Sequence, residues 1–145
     1  MDLKSKYLKL RDLMPIEVYE QETNKQILWN VFDPLAILSL DALWELFGPI
    51  EVNNWVVGGS NHYRGFRQDD CTIGAKWSQH KYGRAFDCTF KMGPSAEHAR
   101  TRLKTLGIEA RRVLGLQHIR RIENKVTWFH FDTWGKSDEI YFFNP

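Results

Sequence analysis

Apolar residues recur at helical spacing in two stretches of this chain and alternate with polar ones in several others. In "FDPLAILSLDALWELFGP", Leu35, Leu38, Ala42, Leu43 and Leu46 return every three or four positions, which predicts a helix with one buried face. Asp33 stands where a cap is needed, Pro34 suits the first turn, and Gly48-Pro49 ends the run. In "GPSAEHARTRLKTLG", Ala99, Leu103 and Leu106 form a narrower stripe behind a Ser95 cap, with Gly107 as the stop.

The strand signal is a period of two. In "RAFDCTFKM", Phe86, Cys88 and Phe90 fall on one face, and Ala85, Asp87 and Thr89 on the other. In "KVTWFHFDT", Phe129 and Phe131 share a face, while Trp128, His130 and Asp132 share its opposite. That segment and "LQHIRRIE" predict a hairpin about Glu123-Asn124-Lys125. "IEVNNWVVGG" reads as a strand entering a glycine turn, and "EIYFFN" as a closing strand. Residues 1–30 show no clean period and predict a short helix plus an extended arm wrapped on the domain. The stretch from Asn61 to Gly83 is long, irregular and rich in glycine and aromatics, the character of a functional loop. Without a regular alternation of strands and helices, the expected class is α+β: a small antiparallel sheet with helices packed on one face.

Composition narrows this little. The 145 residues suit a single domain spanning 1–145. The net charge is only +2, so no nucleic-acid partner is expected, although Arg100–Arg121 is mildly basic. No apolar run reaches the roughly 20 residues of a membrane span, and "MDLKSKYLKLRDL" carries no secretory pattern. The expectation is a chain made in the cytoplasm, monomeric, with Cys71 and Cys88 as reduced thiols.

The polar faces of the two strands hold the chemistry. If the strands are neighbours, Asp87 meets His130 and Asp132, and His80 can turn in from the preceding loop. Two imidazoles and a carboxylate are a zinc ligand set, and three protein ligands leave a fourth position for water, the arrangement of catalytic sites. The residues alone leave a second reading open: satisfied polar groups, with Asp87 ion-paired to Arg84.

"SQHKYGRAFD" fits the pattern S-x-H-x-x-G-x-A-x-D, and "WFHFDT" fits a following H-x-D-T. Together they resemble the zinc D-alanyl-D-alanine carboxypeptidase family, which includes L-alanyl-D-glutamate endopeptidases of phage lysins and shares the hedgehog fold. The resemblance covers roughly residues 35–134. It implies a zinc ion (Zn2+) held by His80, Asp87 and His130. It implies Arg64, in "NHYRGFR", as the clamp on a substrate carboxylate, with Arg67 as its nearest competitor. Ser78 and Tyr63 are candidate substrate contacts, and Trp77, Tyr82 and Trp128 candidate cleft walls. The acid that many members carry three residues before the last histidine is Thr127 here. Asp132 and Glu123 are therefore the candidate catalytic bases, ahead of His62 and His118, with Asp132 equally readable as an orienting partner of an imidazole. The implied substrate is the peptidoglycan stem peptide, reached after lysis or from within a phage particle. The rival expectation is a zinc-binding structural or wall-binding module with a degenerate site.

Overall fold

The computed structural model describes residues 3–145, and the fold is α+β. Four helices, α1 (Ile16–Gln21), α2 (Pro34–Phe47), α3 (Ala96–Thr105) and α4 (Ile108–Val113), accompany five strands. The strands are β1 (Ile50–Glu51), β2 (Ala85–Phe90), β3 (Arg121–Glu123), β4 (Phe129–Asp132) and β5 (Tyr141–Phe143). They form one sheet in the order β1-β2-β4-β3-β5. No single helix among the described residues is long and apolar enough to cross a membrane.

The sheet is mixed rather than antiparallel throughout. β1–β2, β2–β4 and β3–β4 are antiparallel, but β5 runs parallel to β3. The connection after β4 explains this. It returns past the start of β3, where Arg120 donates to Ser137 O at 2.6 Å and to Asp138 Oδ1 at 3.1 Å, and Arg111 donates to Asp138 O. Tyr141 N then bonds Arg120 O at 2.8 Å, so β5 begins beside the beginning of β3.

One sheet face is apolar. Phe86, Phe129 and Phe131 are fully buried there and pack in one core with Ile37, Leu40 and Leu43 of α2 and Ala99 and Leu103 of α3. Asp33 caps α2 by accepting from Leu35 N at 3.1 Å, and Ser95 caps α3 by accepting from His98 N at 3.2 Å. The buried stripe of α2 departs from the expected one. Ala42 and Leu43 are inside, but Leu35 and Leu38 are 40% and 41% exposed, and Ala36, Ile37 and Leu40 take their places. A helix apolar almost all round has no periodicity that fixes its phase, and the sheet decides which side is covered.

The strand expected through "IEVNNWVVGG" stops after two residues. The Asn53 side chain accepts from Arg64 N at 2.9 Å and that of Asn54 from Asn61 N at 2.8 Å, and these turns draw the chain out of the ladder. Residues 3–31 wrap the domain in short helical turns and enter its core, with Leu13 and Met14 fully buried. Leu13 O accepts from Phe66 N at 2.7 Å, and a side chain on Gly65 would strike that same carbonyl. The N-terminal segment thereby fixes the loop that approaches the polar face of the sheet.

Candidate metal centre

That polar face is organised in rows. Asp87 on β2 is the direct cross-strand partner of His130 on β4. Arg121 on β3 is paired with Asp132, and Ile122 with Phe131, so Glu123 comes next along the same ladder, beside His130. Glu123 is in turn registered with Phe143 of β5. One row therefore reads Asp87–His130–Glu123–Phe143. The row behind it reads Ala85–Asp132–Arg121–Tyr141.

His80 reaches the first row from a helical turn, Gln79–Tyr82. Gly83 closes that turn in a left-handed conformation, φ +66°, and lies so close to Val31 O that no side chain fits. His80, Asp87 and His130 are all buried, and one ligand atom from each lies within 4.8 Å of the others. His80 Nε2 is 3.3 Å from Asp87 Oδ1, and His130 Nδ1 is 2.8 Å from the same oxygen. This cluster can hold a metal ion.

The surroundings fix which ring nitrogens face inward. His80 Nδ1 lies 2.8 Å from Gly65 O, a carbonyl that only accepts, so Nδ1 carries the proton and Nε2 is left free. His130 Nε2 lies 3.4 Å from Asp132 Oδ2, which turns Nδ1 towards Asp87. Burial pushes the His80 pKa down and favours the neutral, ligating form, against the pull of Asp87. Burial acts the same way on His130, but hydrogen bonds to Asp132 and Asp87 outweigh it, and its pKa is pushed up to about 9. Burial would raise Asp87, yet the two imidazoles hold its carboxyl far below the usual range. Its second oxygen faces Arg67 Nη2 at 3.3 Å.

The cluster forms the floor of a cleft of about 820 Å³. Arg64, Ser78, Trp77, Trp128, Thr127 and Glu123 line it. Arg64 Nη1 donates to Thr89 Oγ1 at 3.0 Å and makes no ion pair among the described residues. Arg67 is committed elsewhere: besides Asp87, it donates to Tyr63 O at 2.6 Å and Ile73 O at 3.3 Å. Burial raises the Glu123 carboxyl, the negative charge of Asp87 adds to this, and His130 opposes it.

Other candidates lie elsewhere. Asp132 is fully buried and does not line the cleft. Its oxygens accept from Arg121 Nε at 2.9 and 3.0 Å, from Arg121 Nη2 at 2.7 Å, and from Trp134 N at 3.1 Å. Burial would raise this carboxyl, but His130 and Arg121 hold it below its ordinary value. Its oxygens are thus taken up by Arg121, the Trp134 amide and His130. Tyr63 is also outside the cleft; its hydroxyl donates to Glu17 Oε1 at 2.6 Å. Tyr82 lines a different cleft, and His62 and His118 line neither. Arg84 leaves Asp87 to Arg67. Sequence reasoning missed Arg121: a hairpin turning about Glu123-Asn124-Lys125 would set it opposite Thr127, whereas Glu123 belongs to β3, the turn lies beyond it, and the observed register sets Arg121 opposite Asp132. Arg100 and Arg111 in the basic stretch are buried, and Arg100 spends donors on the Glu123, Val126 and Trp128 carbonyls, while Arg102, Lys104 and Arg112 are exposed. Both cysteines are free, Cys88 beneath the sheet.

Compared with known proteins, the chain matches no family model, no curated protein and no solved structure.

Proposed function

We propose that this chain is a zinc-dependent peptidase acting on peptidoglycan stem peptides, with the hedgehog-like peptidase fold that its two motifs resemble. The observation that carries the reading is the convergence of His80, Asp87 and His130, from three separated segments, on the floor of an open cleft. The donor set, two imidazole nitrogens and a carboxylate oxygen, suits zinc; His80 Nε2 and His130 Nδ1 stand 3.3 and 2.8 Å from Asp87 Oδ1, the shorter gap being a hydrogen bond that the ion would replace. The ligands would be His80 Nε2, Asp87 Oδ1 and His130 Nδ1. When bound, zinc supplies a Lewis acid for the scissile carbonyl and a water whose pKa is lowered towards about 7.

The chain's own residues divide the remaining work. Glu123 accepts the proton of the attacking water, its carboxyl raised by burial. It stands in for the acid that Thr127 lacks. Arg64 grips a carboxylate of the substrate with its guanidinium fork. Asp132 holds the His130 ring in place through Nε2.

Metal analysis and zymography test the reading together. One zinc per chain and clearing of purified peptidoglycan that stops with chelator and returns with zinc is the expected result. Stoichiometric zinc with no clearing would favour a degenerate wall-binding module instead. A chain that takes up no zinc would overturn both, and mass spectrometry of released fragments would identify the bond cut.

A further inference from the structure

A second cleft, of about 630 Å³, opens where β2 begins and β4 ends. Its walls carry a buried aromatic, Phe32, two half-exposed ones, Tyr82 at 45% and Trp134 at 51% exposure, and two cations, Arg84 and Lys136. Neither cation makes a side-chain hydrogen bond or ion pair among the described residues; the Arg84 guanidinium lies 5.7 Å from the centre of the Tyr82 ring. Some other surface cations have acidic partners, such as Lys6 with Glu45, Lys91 with Glu51, and Arg112 and Arg120 with Asp138, while Arg102, Lys104 and Lys125 have none among the described residues, so what marks this cleft is that two unpaired cations share it with two half-exposed rings. The one carboxylate in this cleft, Asp33, is occupied. Its Oδ1 caps α2 and its Oδ2 accepts the Thr133 hydroxyl at 2.5 Å.

The backbone here is fixed. Arg84 N bonds Gln79 O at 3.1 Å, and Thr133 N bonds Arg84 O at 3.2 Å. Arg121 separates this cleft from the metal cleft: it lines the latter, and its guanidinium stands 4.9 Å from the centre of the Trp134 ring. The volume falls in the range of small-ligand sites. A guanidinium and an ammonium with no internal partner suit phosphate or carboxylate. Flat, half-exposed rings with a negative π face suit the C–H face of a sugar or polyol.

We propose that the Tyr82–Arg84–Trp134–Lys136 cleft binds an anionic sugar or polyol group and so holds the chain on the wall beside the metal cleft. The ligand class follows from the cleft itself, while the wall as its source rests on the peptidase reading. Two arms keep these apart. In the first, the metal-free full chain is titrated with glucose 6-phosphate, glucuronate and glucose, and the Trp134 indole N–H is followed by NMR. Saturable shifts with either charged sugar and not with glucose are expected. An R84Q/K136Q variant should weaken them at least tenfold while keeping its zinc capacity and circular dichroism. No shift, or equal affinity in the folded variant, would overturn the site.

In the second arm, chelator-treated protein is sedimented with Gram-positive sacculi before and after hydrofluoric acid stripping. Retention lost on stripping assigns the anion to wall phosphodiesters, and retention kept assigns it to carboxylates. Shifts in the first arm with no sedimentation would overturn the wall as the source.

Discussion

The Asp132→Asn substitution separates the two roles that this carboxylate could have. Asp132 is surrounded by donors: two from Arg121, the Trp134 amide and His130 Nε2. Asparagine offers one accepting oxygen and sets an NH2 group against the remaining donors. Breaking a buried ion pair by removing one partner costs about 3–5 kcal/mol, and Arg121 retains some contact with water, so the lower end of that range is expected for stability. His130 would also lose the acceptor that holds Nδ1 towards Asp87. Loss of such an outer partner weakens metal binding by roughly 10- to 100-fold, or about 1.4–2.7 kcal/mol.

Two measurements read this. Zinc affinity is obtained by competition with a chromogenic chelator, and turnover is measured at saturating zinc. An orienting Asp132 predicts the affinity loss, with turnover at saturation within about tenfold of the parent. A catalytic Asp132 predicts unchanged affinity and turnover lowered by roughly 10²- to 10⁴-fold. The second pattern would refute the reasoning and return the base role from Glu123 to Asp132.

Four further outcomes are expected. Glu123→Gln lowers turnover by roughly 10²- to 10⁴-fold with zinc content unchanged; near-parental rates would exclude Glu123 as the base. Arg64→Ala raises KM roughly 10- to 100-fold, the worth of a charge-assisted hydrogen bond, with zinc retained, and unaltered kinetics would take the clamp away from Arg64. In the metal-free protein, His130 has a folded pKa near 9 against an ordinary 6.5. Its stabilisation is complete below about pH 6.5 and is lost as pH rises through 9, up to roughly 3 kcal/mol, so urea midpoints should fall across that interval; a flat or rising profile would contradict the assignment. His80, lowered by burial, acts in the opposite direction and destabilises below pH 6.5. Finally, chelation should leave the far-UV circular dichroism unchanged, and metal-dependent unfolding would show that the ion holds the fold.

The parts of the site that lie on strands were legible because a period of two fixes the phase of a side chain absolutely. Once Phe86 and Phe131 are assigned to the core, Asp87 and His130 have only the other face. The helix α2 gave no such constraint, since Leu35, Ile37, Leu38, Leu40 and Leu43 surround it and only tertiary contact chooses among them. The partners of buried charges were the least legible. Arg67 reaches Asp87 from 20 positions away through an irregular loop, and nothing local distinguishes it from Arg64. The parallel pairing of β5 depends on clasps by Arg111 and Arg120 that no strand pattern encodes.

The arginines that meet the buried carboxylates also bear on what a metal would do for this fold. An uncompensated buried carboxylate costs several kcal/mol. Asp87 meets Arg67, and Asp132 meets Arg121, before any cation enters. Domains that unfold without zinc are those whose small cores leave the ligands as the main source of order. Here the ligand row lies on a sheet whose other face is closed by fully buried phenylalanines and two helices. The imidazoles are already oriented by Gly65 O and Asp132. Metal entry then requires the proton on His130 Nδ1 to leave, without an ordering of chain.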